Sequence, residues 1–151
     1  MLKQFNTWMC CLAILLLVIL SIIIGNRHNV RGIYLTQSTV TNTMVLKKII
    51  YRSQAVGINT FVVDINSPSK KYAENIALIQ SHDIDYVARI VLFPGGASPE
   101  DVNNHALLEN RYQLMDYAVS LGAKAIQLDY VRYKPTQFSS QENAKKINAV
   151  I

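Results

Sequence analysis

Four short apolar runs, separated by segments with helical periodicity, are the feature of this sequence that most restricts its fold. The runs are centred near Tyr34, Val63, Ile90 and Leu128 and are rich in β-branched and aromatic residues, as buried strands are. Their centres lie 29, 27 and 38 residues apart, which leaves room for a helix between each pair. Strands that alternate with helices in this way pair in parallel through right-handed crossovers. The sequence therefore predicts an α/β fold.

The segments between the runs carry helix boundary signals. Asn42 is a predicted N-cap of a helix that extends to Val56, and Gly57 follows as a left-handed stop. Ser67 followed by Pro68 predicts the start of the second helix. The remaining predicted helices extend from about Glu109 to Leu121 and onward from the capping-box sequence Ser139–Glu142.

An uncharged apolar block, residues 8–24, precedes these runs. A membrane-spanning helix needs roughly 17–25 such residues, and the block reaches that length. Bulky residues at Ile22–Ile24 occupy positions where signal-peptide cleavage requires small side chains. We therefore expect an uncleaved signal anchor in residues 1–29, followed by a domain in residues 30–151. A domain behind a first N-terminal anchor is more often exported, so we expect it to be periplasmic or extracellular.

Several classes of site are disfavoured by the composition. The net charge is +5, but the basic residues are scattered pairs rather than a stripe with interleaved aromatic residues, so no nucleic-acid partner is predicted. No glycine follows the first strand in Leu35–Val40, which disfavours a nucleotide cofactor and a complete doubly wound sheet. The three histidines, at positions 28, 82 and 105, lack metal-ligand spacing. No cofactor and no metal are predicted.

Charged and polar residues interrupt strands that are otherwise apolar. Asp64 ends the second run, Arg89 interrupts the third, and Gln127 and Asp129 interrupt the fourth. Because side chains alternate faces along a strand, Gln127 and Asp129 share one face. Buried charges need partners, so we expect Asp64, Arg89 and Asp129 to meet. They form either an ion-pair network that only organises the core or a substrate site at the strand ends.

The four runs with their flanking residues carry a resemblance to a known family. The segments are Arg31–Thr36, Asn59–Ile65, Tyr86–Phe93 and Ile126–Tyr133. They resemble a bacterial glycosyl hydrolase-like domain family, domain of unknown function 4015, over about residues 30–151. The resemblance implies a TIM barrel related to α-amylase-like enzymes, with Asp129 as the catalytic carboxylate. It implies Asp64, Arg89 and Arg132 as pocket residues. From the residues themselves, Gln127 is a further candidate for substrate contact because it shares a face with Asp129, and Tyr34 could either stack on a sugar ring or pack in the core.

The predicted architecture is a (β/α)4 unit, half of a (β/α)8 barrel, preceded by an N-terminal transmembrane helix. A complete barrel takes about 250 residues, and glycosidic cleavage usually needs two carboxylates, one on each side of the bond. We expect a hydrolase-like domain with a carbohydrate substrate. The alternative is a non-catalytic half-barrel that binds carbohydrate or a partner chain. Two unpaired sheet edges would favour a homodimer or a complementing half-barrel.

Overall fold

The fold comes from a computed structural model that describes residues 29–134 and 141–150. All of the elements below belong to one compact unit, Arg31–Ile151. The apolar block of residues 8–24 and the predicted cap at Ser139 lie outside the described residues. Within the described part of the chain, no helix is both long enough and apolar enough to cross a membrane.

Strands and helices alternate along the chain, as the sequence predicts. The strands are β1 (Gly32–Leu35), β2 (Thr60–Asp64), β3 (Asp85–Val91) and β4 (Ala125–Asp129). The helices are α1 (Gln37–Thr41), α2 (Thr43–Ala55), α3 (Lys70–Gln80), α4 (His105–Ser120) and α5 (Gln141–Asn148), with a short 3-10 turn at Asp101–Asn103 before α4. Each strand pairs in parallel with the next, in the order β1-β2-β3-β4. The predicted α/β class with a parallel sheet is confirmed.

Two of the predicted helix boundaries differ from the observed ones. The predicted start at Ser67 and Pro68 is wrong, because the side chain of Ser69 caps α3 by accepting a hydrogen bond from the Tyr72 amide at 3.2 Å. The predicted start near Glu109 is also wrong. Asn104 accepts from the Leu107 amide at 3.1 Å, so α4 already begins at His105.

The start and stop of α2 agree with the sequence prediction, and one further short helix was not predicted. Asn42 caps α2 as predicted by accepting from the Val45 amide at 3.2 Å, and Gly57 after it has a φ of 74°. The sequence did not predict α1, which begins directly after β1 with Thr36 as its N-cap. The α1 helix therefore lies at the carboxyl end of β1, close to where β2 also ends.

The apolar core lies between one face of the sheet and the helices. Phe61, Val63, Tyr86 and Ile90 on β2 and β3 are fully buried on this face. The helices contribute Leu46, Ile50, Tyr72, Ile76, Ile79, Leu114 and Ala118 to the same cluster. A second, smaller cluster under the loop after β3 contains Leu92, Phe93, Ala97, Val102 and Ile147.

The opposite face of the sheet is only partly covered by the described residues. Val62 on β2 and Val87, Arg89 and Val91 on β3 alternate with the buried residues and remain partly exposed. Parallel sheets usually have both faces covered. This partly exposed side, called the open face below, is where the charged strand residues point.

Asn75 on α3 is a buried polar residue that ties three helices together. Its side chain is 2% exposed, donates to the Val40 carbonyl at 2.7 Å and accepts from the Thr43 hydroxyl at 3.1 Å. We expect Asn75→Ala to lower the free energy of unfolding by about 2 kcal/mol, because it leaves a buried carbonyl without a donor. Urea unfolding followed by circular dichroism measures this loss. The matched control is Asn110→Ala on the exposed face of α4, and an equal loss in both variants would contradict the assigned role.

Candidate functional site

The charged residues of the strands meet on the open face, near the carboxyl ends of the strands. Asp64 is the last residue of β2 and Asp129 is the last residue of β4. In the parallel register Asp64 lies opposite Arg89, and Arg89 lies opposite Gln127. Asp129 lies two residues further along β4 than Gln127, opposite Val91 and on the same face. The pairing therefore places Arg89 between the two carboxylates.

Arg89 binds both aspartates at once. Its Nη1 donates to Asp64 Oδ1 at 2.5 Å, its Nε donates to Asp129 Oδ2 at 2.8 Å, and its Nη2 donates to the same Asp129 oxygen. The side chain of Arg89 is 16% exposed and that of Asp64 is 13% exposed. Charge-assisted bonds of this kind are stronger than neutral ones. Each of the three guanidinium nitrogens makes one bond within the protein, so Arg89 orients both carboxylates.

Tyr34 on β1 extends the cluster. Its hydroxyl donates to Asp64 Oδ2, and its ring centroid lies 5.3 Å from the Arg89 guanidinium carbon. The hydrogen bond to Asp64 is the main cause that raises the pKa of Tyr34 above 10.0, so the phenol keeps its proton. Tyr34 remains 51% exposed. It therefore holds Asp64 in place while it presents ring surface to the solvent.

Asp129 is held as an anion and remains accessible. The backbone amide of Tyr130 donates to its Oδ1 at 2.7 Å. This bond, followed by the contact with Arg89, lowers the pKa of Asp129 below its usual 3.8. The Asp129 side chain is nevertheless 35% exposed. An accessible ionised carboxylate is suited to act as a nucleophile or as an electrostatic stabiliser, and not as a proton donor.

The residue after Asp129 has a strained backbone. Tyr130 has a φ of 56°, in the left-handed region that non-glycine residues rarely adopt. A large side chain in this region costs of order 1–3 kcal/mol, and such residues cluster at functional sites. Here the conformation turns the Tyr130 amide toward Asp129 Oδ1. The amide placed by this conformation is the largest cause of the lowered pKa of Asp129.

Two shallow depressions on the open face contain most of the residues singled out from the sequence. The first, of about 530 Å³, is lined by Tyr34, Val62, Arg89 and Gln127 among others. The second, of about 420 Å³, is lined by Arg89, Asp129, Tyr130 and Arg132 among others. The two share Arg89 and therefore adjoin, and Asp64 joins them through its bond to Arg89. The structure thus brings all six candidates from the sequence into one region.

A larger depression, of about 760 Å³, lies elsewhere between α4 and α5. Its lining is mixed and includes Leu108, Tyr112 and Lys146, but none of the six candidates. In the described part of the chain, no group of three or more His, Cys, Asp or Glu side chains is arranged to hold a metal ion.

Sequence reasoning missed Gln37, which connects the loops beside the site. Its Nε2 donates to the Ser67 carbonyl at 2.8 Å, and its Oε1 accepts from the Asn66 amide at 2.6 Å. These bonds fix the loop that follows Asp64 to the first turn of α1. The available signal was a polar residue two positions after the end of the first strand. A contact across 29 residues of sequence leaves no periodic pattern.

The segment that carries Arg132 is held by the loop after β3. Ala97 and Tyr133 form a parallel bridge, in which the Ala97 amide donates to the Arg132 carbonyl at 2.7 Å. The Lys134 amide donates to the Ala97 carbonyl at 3.0 Å. Gly96 precedes this bridge with a φ of 97°, and a Cβ there would lie 2.9 Å from the Tyr133 carbonyl oxygen. Only glycine allows this close backbone approach.

Gly95 and Gly96 form a matched pair that tests whether the close contact between Gly96 and the Tyr133 backbone matters for stability. Gly95 also has a positive φ, 77°, but a Cβ there would have nothing within 4 Å. We expect Gly95→Ala to cost about 1 kcal/mol from backbone strain alone. Gly96→Ala adds a clash with backbone and should cost about 3 kcal/mol or more. Urea unfolding measures both losses, and equal losses would show that the contact with Tyr133 does not matter.

Comparisons with known proteins identify the fold and not a family. No protein family model matches the chain, and no curated protein matches its sequence significantly. Among solved structures, the chain is similar to the crystal structure of a hypothetical protein from Ruminiclostridium thermocellum, with a TM-score of 0.61 and 20% sequence identity. The match covers 78% of this chain and 88% of that chain. At this identity the similarity shows a shared fold alone.

Proposed function

We propose that this chain carries a glycoside hydrolase-like site, on one half of a (β/α)8 barrel, that acts on a polysaccharide or glycan outside the cytoplasm. The observation that carries the proposal is the bridge from Arg89 to both Asp64 and Asp129 at the carboxyl ends of parallel strands. In (β/α) barrels this end of the sheet holds the catalytic groups. Residues 8–24 would anchor the domain to the membrane.

The position of the ion pairs favours a site over a purely structural network. A network that only organised the apolar core would lie on the face of the sheet that packs under the helices. These charges instead point to the open face, away from Phe61, Val63 and Tyr86. The strained backbone at Tyr130 supports the same reading, since such strain is common at functional residues.

The roles of the residues follow from their bonds. Asp129 is ionised and accessible, and it would stabilise or attack the oxocarbenium-like centre that forms when a glycosidic bond breaks. Arg89 keeps Asp129 oriented and charged. Both Asp64 oxygens already accept hydrogen bonds, from Arg89 and from Tyr34, so Asp64 is poorly placed to donate a proton. The proton for the leaving group would have to come from another group, because Asp129 is ionised and both Asp64 oxygens are already bonded.

The test is a hydrolysis assay with the full-length chain. A panel of polysaccharides with neutral and acidic sugars is incubated with the protein, and new reducing ends are measured. We expect release from at least one polysaccharide, and release that disappears when Asp129 is replaced supports the proposal. Absence of release across the panel, or release that does not depend on Asp129, would contradict it.

A second candidate function, as a half-barrel that binds a partner chain, is favoured by the sheet edges. Within the described residues, β1 and β4 each pair on one side only. An unpaired strand edge offers backbone donors and acceptors to another chain. A second copy related by a two-fold axis would place β4 of one chain beside β1 of the other. Analytical ultracentrifugation of the full-length chain tests this, with a dimer as the expected result and a stable monomer as the contrary one.

A further inference from the structure

The two arginines of the second depression differ in how their donors are used. Arg89 uses all three of its nitrogens on Asp64 and Asp129. Arg132 is exposed and makes a single long hydrogen bond, from Nη1 to the Tyr133 carbonyl at 3.4 Å. Among the described residues, none of the four ion pairs includes Arg132. Its guanidinium therefore keeps most of its donors for a group that the described chain does not supply.

Arg132 is nevertheless held in place rather than extended into solvent. Its guanidinium carbon lies 5.2 Å from the centroid of the Tyr130 ring, a cation–π contact. Its backbone carbonyl accepts from the Ala97 amide at 2.7 Å. Stacking on a ring and anchoring of the main chain both reduce the freedom that a long side chain loses on binding. The group is thus oriented in advance of any ligand.

The surroundings of Arg132 favour an anion. It lines the same depression as Asp129, whose carboxylate is bonded by the Tyr130 amide and by Arg89 and receives only a smaller, unbonded electrostatic contribution from Arg132. A guanidinium presents parallel N–H groups that match the oxygens of a carboxylate, sulfate or phosphate. A neutral hydroxyl would use one donor and leave the positive charge uncompensated. The net charge of +5 adds a weak attraction for acidic polymers.

We propose that Arg132 forms a subsite for the oxyanion of an acidic sugar, so that the substrate class is an anionic glycan rather than a neutral one. This inference rests on the proposed function, because it places the sugar in the depression that contains Asp129. The anion bonds to the free edge of the Arg132 guanidinium. The adjacent sugar ring then lies within the depression between Arg132 and Asp129.

The test is a glycan array probed with the full-length chain. The array carries uronate-containing, sulfated, phosphorylated and neutral oligosaccharides, and the three acidic sets distinguish the source of the oxyanion. We expect binding to at least one acidic set, reduced about tenfold or more by Arg132→Gln, as for loss of a hydrogen bond between charged groups. Arg132→Lys keeps the positive charge but lacks the paired N–H donors of a guanidinium, so it should retain part of the binding. Arg52→Gln, on the exposed surface of α2, controls for net charge.

The outcomes separate this inference from the proposed function. Binding to acidic glycans that depends on Arg132 supports the subsite, whether or not hydrolysis is found. Binding to neutral glycans alone, with hydrolysis that depends on Asp129, overturns the subsite and leaves the hydrolase proposal standing. The subsite is also overturned if Arg132→Gln leaves the affinity for acidic glycans unchanged, or if Arg52→Gln lowers that affinity equally. No binding to any glycan contradicts both.

Discussion

Replacement of Arg89 by methionine is expected to lower the free energy of unfolding by about 3 kcal/mol at neutral pH. The side chain of Arg89 is 16% exposed and neutralises two carboxylates that face each other across β3. Removal of one partner from a largely buried charge cluster is strongly destabilising, because the remaining charges lose their compensation. Urea unfolding followed by circular dichroism measures the loss. The control is Arg52→Met, an exposed substitution of the same kind on α2.

The free energy of unfolding of Arg89→Met should also depend on pH in the opposite sense to that of the wild-type protein. In the wild-type protein the folded pKa of Asp129 lies below 3.8, first because of the Tyr130 amide and then because of Arg89. The ionised carboxylate therefore adds stability above this pH, and that stability is lost as the pH falls through the folded pKa. Without Arg89, Asp129 loses the second-largest of the contacts that lower its pKa, so its folded pKa rises. The deficit of Arg89→Met should then shrink between pH 7 and about pH 4, and a constant deficit would contradict the assigned contacts.

Replacement of Asp129 by asparagine is expected to reduce glycan hydrolysis at least about 100-fold. Loss of one electrostatic contact to the developing charge of a transition state typically has an effect of this order. Asparagine nearly preserves the shape of the side chain but cannot supply the negative charge. The initial rate of reducing-end release from the best polysaccharide in the panel measures the effect.

The control for Asp129→Asn is Asp85→Asn. Asp85 is an exposed aspartate at the opposite, amino end of β3. It should keep the wild-type rate. Circular dichroism of each variant checks that the fold is retained. A folded Asp129→Asn protein with an unchanged rate would remove Asp129 from the chemistry.

The sequence predicts the sheet and the shared face of its charged residues because both depend on local periodicity. Alternation along β2, β3 and β4 was enough to place Asp64, Arg89 and Asp129 on one side of the sheet. The spacing of the apolar runs was enough to predict parallel strands. These features depend on residue order within short segments, and that information is present in the sequence itself.

Other features of the site depend on contacts between distant segments and were not predicted. The left-handed backbone of Tyr130 has no sequence signal, since a tyrosine is a poor candidate for that region. Gln37 acts on a loop 29 residues away, and Gly96 is required only because Tyr133 approaches it. The start of α3 was placed too early because Ser67-Pro68 is as good a local signal as Ser69.

The open-face cluster of Asp64, Arg89 and Asp129 is either a carbohydrate site or a structural scaffold, and one variant separates the two. The variant that separates the two replaces Arg89 by methionine and both Asp64 and Asp129 by asparagine, which removes the charges together. Complete replacement of an ion-pair network is often nearly neutral for stability, so this protein should remain folded. Glycan binding by the folded triple variant, measured by isothermal titration calorimetry with the best ligand of the wild-type chain, is the decisive quantity. We expect glycan binding to be lost in this variant, and wild-type affinity would contradict the assignment of the cluster as a carbohydrate site.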